Sequence, residues 1–223
     1  MAKPADGTLP PPDAKPRALP AIKMDTLTIK KYHRQGSEVE KRINALKVIS
    51  KTEKLPKGNT STWNGSIKTD KEFFEFFIND VPLTELLNEF YNQKGSVLDN
   101  WIGVLGWTTN FPAEIIKLKQ LLGKNVTDNE IRKVFPTSFT ENEFEYYLEK
   151  YRNELSNPEI IIYCCAECGD YECGGIKISL HKTDTSVIWT FSENDKTLEF
   201  EFDKYLYFDI LQRRIKHLED KIR

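Results

Sequence analysis

The chain has 223 residues, of which 39% are apolar and 12% aromatic, and a formal net charge of −2. That length suits one large domain or a domain with appendages, and 13 Phe, 9 Tyr and 4 Trp supply bulk for a core. The near-neutral charge argues against a general nucleic-acid binder, and no apolar run approaches the ~20 residues that span a bilayer. The first residues lack the apolar segment of a secretory signal, so the cytoplasm is the expected compartment. Thiols stay reduced there, and structural or metal-binding cysteines outrank a disulfide framework.

Residues 1–23 hold six of the 11 prolines and contrast with the Lys-, Asn- and Glu-rich remainder. They read as an extended tail, either an expression scar ahead of a natural start at Met24 or a linker from a larger polypeptide. Residues 24–223 are then expected to form a single α+β domain. Leu27-Thr28-Ile29 is a short strand. Ser37 with Glu40 has capping-box spacing for a helix carrying Val39, Ile43 and Leu46. A polar loop follows, and its Trp63 either anchors it to the core or meets a partner.

Lys71 to Val81, rich in Phe, predicts a strand closed by a tight turn at Asn79-Asp80. Leu83, Leu86, Leu87 and Phe90 follow at helical spacing, with Asp80 better placed than Thr84 to cap that helix. Gly95 to Gly106 reads as a buried irregular or strand segment. Pro112 to Leu122 is a helix with proline in its first turn and Gly123 as its stop. Thr127 with Glu130, and Thr140 with Glu143, repeat the capping-box spacing before two more helices, the second ending near Asn157-Pro158.

Ile160 to Cys164 and Ile176 to His181 predict a β-hairpin around a Gly-rich turn. Ser186 to Phe191 and Thr197 to Phe202 add two strands. Leu206 to Ile222 closes the chain as a helix with Phe208, Leu211, Ile215, Leu218 and Ile222 on one stripe. The expected fold is α+β, with helices in the N-terminal two thirds packed on an antiparallel sheet that contains the 160–181 hairpin.

All four cysteines fall within that hairpin. Cys165, Cys168 and Cys173 present three thiols around one turn, and a Cys-x-x-Cys knuckle suits tetrahedral zinc. A fourth ligand is not evident: Cys164 points to the opposite face from Cys165, His181 lies far along the return strand, and Glu167, Asp170 or Glu172 would have to serve. The other readings are small apolar residues packing a tight turn and a redox pair, although a hairpin tip lacks the helix dipole that lowers a thiol pKa. No cofactor motif is present, so zinc on Cys165, Cys168 and Cys173 is the one cofactor considered. His33, His181 and His217 stand in no nucleophile motif.

Three stretches together resemble a family of uncharacterised bacterial proteins. They are Phe77 to Leu87, Gly103-Val104-Leu105-Gly106-Trp107, and Tyr163 to Gly174 followed by Val187-Ile188-Trp189. The family's loop reads Tyr-x-Cys-Pro-Glu-Cys-Gly-Asp-x-x-Cys-Gly-Ala. Here Ala166 replaces its proline, Gly175 its last alanine, and Asn79-Asp80 its Asp-Gly turn. The resemblance supports the hairpin. Its members are often labelled oxidoreductase without a visible cofactor motif, and it supplies no catalytic residues.

Absent such motifs, the expected function is non-enzymatic: an immunity-type protein that neutralises a cognate bacterial toxin. The expected contact is the acidic strand and turn carrying Glu193, Asp195, Glu199, Glu201 and Asp203. The acidic run Glu141, Glu143, Glu145 and Glu149 reads as a solvated helix face. The alternative function is a small zinc- or thiol-dependent enzyme built on Cys165, Cys168 and Cys173.

Overall fold

A computed structural model describes residues 24–34, 71–92, 95–106, 111–166, 169, 171 and 173–222. Residues 1–23, the helix expected from Ser37, Trp63 and Trp107 lie outside them. The described residues form two antiparallel sheets and five α-helices.

The first sheet is built from the N-terminal half. β1 (Leu27–Arg34) pairs along its whole length with β2 (Lys71–Ile78), which turns back into β3 (Val81–Pro82). Asn79 and Asp80 have φ of 52° and 65°, the paired positive values that a two-residue hairpin turn requires. Asn79 also accepts from the Thr26 backbone N–H at 3.0 Å and donates to the Asp25 carboxylate at 2.7 Å. Both faces of β2 are buried, Phe73 and Glu75 on one and Phe76 and Ile78 on the other.

α1 (Leu83–Phe90) follows directly. Its N-cap is Pro82, with no side-chain cap. Asp80 therefore does not cap it; its carboxylate takes the Lys30 ammonium at 2.9 Å instead. A 3-10 turn at Val97–Asp99, with a capping box on Ser96, leads into β4 (Trp101–Gly103).

The second sheet is a five-stranded meander: β4, β5 (Glu159–Cys165), β6 (Gly175–Lys182), β7 (Ser186–Glu193) and β8 (Lys196–Asp203), in that order. A register shift between Ile161 and Tyr163 places a bulge in β5. Between β4 and β5 in sequence lie α2 (Phe111–Leu121), α3 (Asp128–Arg132) and α4 (Glu141–Ser156). Gly123, at φ +63°, ends α2. The two expected capping boxes that fall among the described residues are formed, with the Thr127 and Thr140 hydroxyls accepting from the backbone of Glu130 and Glu143 and those carboxylates returning to the cap. α5 (Lys204–Ile222) closes the chain and packs against α2.

The α+β class is as expected, but the layering is not. Among the described residues the N-terminal part is not purely a helical layer: Phe-rich β2 pairs with β1 in a sheet of its own. The longest of the described helices, α5, follows the last strand. Its buried stripe is Tyr207, Leu211, Ile215 and Leu218, whereas Phe208 is half-buried and Ile222 is exposed. The two sheets share one core. The Phe74 N–H donates to the Leu105 carbonyl at 2.8 Å, and the Phe76 and Trp189 rings meet edge to face at 5.1 Å. A smaller cluster of Ile116, Ile131, Val134, Phe144 and Leu148 holds α2, α3 and α4 together. Among the described residues no helix is long and apolar enough to cross a membrane.

Candidate functional site

The acidic residues singled out above lie on the β7–β8 hairpin, whose register pairs Glu193 with Lys196 across the Asn194-Asp195 turn. Asn194 takes φ 52°, which asparagine tolerates better than most residues. Alternation along β8 turns Leu198, Phe200 and Phe202 to the core and leaves Glu199 and Glu201 on the other face.

The five carboxylates do not have equal freedom. Glu193, Asp195 and Glu199 are exposed, and Glu199 accepts from the Thr190 hydroxyl at 3.0 Å. Glu201 is half-buried, and its backbone exchanges hydrogen bonds with Asp25, whose N–H donates to the Glu201 carbonyl at 2.7 Å. Asp203 accepts from the backbone N–H groups of Tyr205 and Leu206 at 3.0 and 2.9 Å. It therefore starts α5 and has less capacity left for a partner. Just beyond it Tyr205 and Leu206 are 79% and 63% exposed.

Glu193 opens into a polar groove of about 300 Å³ lined by Tyr91, Trp101, Glu159, Lys177 and Thr190 among others. Glu159 and Lys177 pair across it at 3.5 Å. Burial, and then the Glu193 charge, hold the Tyr91 phenol above its ordinary pKa. A carboxylate beside Tyr91 and Trp101 suits a cationic side chain. A larger, mainly apolar groove of about 960 Å³ lies elsewhere, between α2, α3 and the end of α5.

The cysteine loop lies at the same end of the five-stranded sheet as the β7–β8 turn, and Gly175 after it lines the same groove as Glu193. Cys164 is buried and its thiol donates to the Ile102 carbonyl at 3.7 Å; Cys165 is half-buried and Cys173 exposed. Cys168, Glu167, Asp170 and Glu172 lie outside the described residues. Among the described residues no three His, Cys, Asp or Glu side chains are grouped to hold a metal. The expected trio of Cys165, Cys168 and Cys173 is thus described only in its two outer members. His181 is exposed near the far end of β6.

Two glycines of this loop have steric reasons. A Cβ on Gly175 would stand 2.2 Å from the Tyr163 carbonyl oxygen, and Gly174, at φ +97°, packs under the Trp101 ring. An alanine at position 175 would press on this backbone oxygen in the bulged register.

The sequence reading passed over Glu75. Its carboxyl is fully buried, accepts from the Tyr163 hydroxyl at 2.5 Å and from the Phe76 N–H at 2.8 Å, and burial pushes its pKa up to about 8. Its place inside Phe73-Phe74-Glu75-Phe76-Phe77 was the available signal, since a charge on a strand buried on both faces must be neutralised or paired.

No family model, curated protein or solved structure matches this chain.

Proposed function

We propose that this chain is a non-enzymatic, cytoplasmic, protein-binding protein of the immunity type, which neutralises a cognate bacterial toxin. The contact surface is the outer side of the β7–β8 hairpin with the start of α5. The observation that carries this reading is the exposure of Glu193, Asp195 and Glu199 along the β7–β8 hairpin, followed at the far end of β8 by exposed Tyr205 and Leu206. Tyrosine supplies rigid contact area at interface centres, and a charged surround steers a basic partner. A blocking complex would bury on the order of 1,600 Å² in total. The test is co-purification of the tagged chain with the product of its neighbouring gene, combined with rescue of cells that express that product. Stable 1:1 recovery with rescue supports the reading; neither recovery nor rescue removes it.

A second reading is a small zinc- or thiol-dependent enzyme, and its support is the partial exposure of Cys165 and Cys173 at one end of the hairpin. The resemblance of the loop to the family described above belongs with this reading. If zinc is the cofactor, Cys165, Cys168 and Cys173 would hold it as thiolates. Stoichiometric zinc lost in the Cys168→Ser variant, or a thiol reacting well below its ordinary pKa, supports this reading; metal-free protein with ordinary thiol reactivity removes it.

A further inference from the structure

Four neighbouring strands, β4 to β7, and the end of α1 build the groove beside Glu193. Alternation along β6 and β7 turns Ile176, Ile178, Trp189 and Phe191 to the core and leaves Lys177, Ser179, Thr190 and Ser192 on the outer face. The register sets Ser179 between Glu159 of β5 and Thr190 of β7, so these polar side chains form one floor. Trp101 of β4 and Tyr91, which caps the end of α1, are half-buried and line the same groove.

The charges in the groove do not cancel. Lys177 pairs with Glu159 at 3.5 Å and neutralises it. Lys196 stands opposite Glu193 in the β7–β8 register, yet among the described residues Glu193 belongs to no ion pair. One net negative charge is left. The floor is also rich in acceptors: Ser179 and Ser192 are exposed, and the Thr190 hydroxyl, which donates to Glu199 at 3.0 Å, keeps its lone pairs. A volume of about 300 Å³ is at the small end for ligand pockets and holds one long side chain rather than a folded segment.

These features select a single positive charge that carries several donors. An ammonium is a compact, strongly hydrated point charge, and Lys177 already places one here. A guanidinium is more weakly hydrated, takes a carboxylate with two parallel N–H groups and lies flat on aromatic rings. We propose that this groove receives one arginine side chain of the protein partner, with its guanidinium forked on the Glu193 carboxylate, laid against Tyr91 and Trp101 and donating to the hydroxyls of the floor. The proposal rests on the protein-binding reading above and names the side chain that such a partner presents.

The test titrates the full chain with Nα-acetylarginine amide, followed by nuclear magnetic resonance at low salt. The Trp101 indole N–H and the backbone amides of Lys177, Thr190 and Glu193 should shift and saturate together. The neutral isostere Nα-acetylcitrulline amide should leave them in place, and Nα-acetyllysine amide should bind more weakly than the arginine probe. Glu193 is exposed, so Glu193→Gln should fold, and it should weaken arginine binding by about tenfold or more. Glu149→Gln, which removes the same charge from the solvated face of α4, should bind as the native chain does. Shifts that never saturate, an equal response to citrulline or to lysine, or full affinity in Glu193→Gln overturn the arginine site. Co-purification with the neighbouring gene product tells the two readings apart. A partner recovered by a chain that does not bind the arginine probe overturns the groove and keeps the partner. Saturable arginine binding without recovery or rescue keeps the groove as a guanidinium site and removes the immunity reading.

Discussion

The indole N–H of Trp189 donates to the Tyr207 hydroxyl at 3.1 Å, and that hydroxyl donates in turn to the Leu121 carbonyl at 3.2 Å. β7, α5 and the last turn of α2 are thereby joined through one buried oxygen. The Leu121 carbonyl is among the last of its helix, where no intrahelical partner remains. Tyr207→Phe keeps the ring contacts with Trp189 and Phe202 but strands a donor and an acceptor. It should cost about 2–4 kcal/mol, since each buried group left unpaired costs about 1–3 kcal/mol. Urea unfolding followed by fluorescence checks it; a loss under half a kcal/mol would mean water replaces the hydroxyl.

Arg214 and Glu114 pair at 2.6 Å with little exposure on either side, and the guanidinium also lies 3.7 Å above the Phe74 ring. Arg214→Met should destabilise by about 3–5 kcal/mol because it leaves Glu114 buried without its counter-charge. The double variant Arg214→Met with Glu114→Leu should recover most of that loss. A double-mutant cycle in guanidinium chloride measures both quantities, and a double variant as unstable as the single one would show that ring stacking, and not charge, is what Arg214 supplies.

Gly175→Ala probes the bulged register. Its new Cβ would press on the Tyr163 carbonyl oxygen, which is backbone and cannot swing away. A loss of about 1–3 kcal/mol is expected from forced overpacking. An unchanged thermal midpoint would mean that β5 can slide to relieve the contact.

Acid should weaken the helical edge. The Arg152 hydrogen bond holds the Asp128 carboxyl below its ordinary range, and Thr140 does the same for Glu143. For a lowered pKa the stabilisation is present above the ordinary value and lost as pH falls through the folded one. Asp128→Asn should therefore be less stable than the native chain at pH 7 and equal to it at pH 2, by a small margin because the pair is exposed. A gap that persists at pH 2 would assign the loss to packing.

Charge reversal at Glu199 tests the proposed contact surface. Glu199 is exposed and starts no helix, so Glu199→Lys should leave the fold intact. Association with a basic partner should slow by about tenfold at low salt, and the difference should shrink as salt rises. Equal association rates at every ionic strength would place the contact elsewhere, with Tyr205→Ala as the next variant.

Local physics was legible in the chain. The boxes at Thr127 and Thr140, the helix stop at Gly123, the turn at Asn79-Asp80 and the hairpin arms on either side of the cysteine loop depend on residues a few positions apart. Each is therefore written in consecutive letters. The tertiary structure decided what joins distant segments. It paired β1 with β2 across the intervening segment, set the three-stranded sheet against the five-stranded one, and brought Glu75 to Tyr163. It also spent Asp203 on a helix start while leaving Glu193 at a groove with Tyr91. Strand partners and burial follow from the closing of the whole core. A one-dimensional pattern marks Glu75 as a charge among phenylalanines, but only three-dimensional packing removes its water and makes its proton matter.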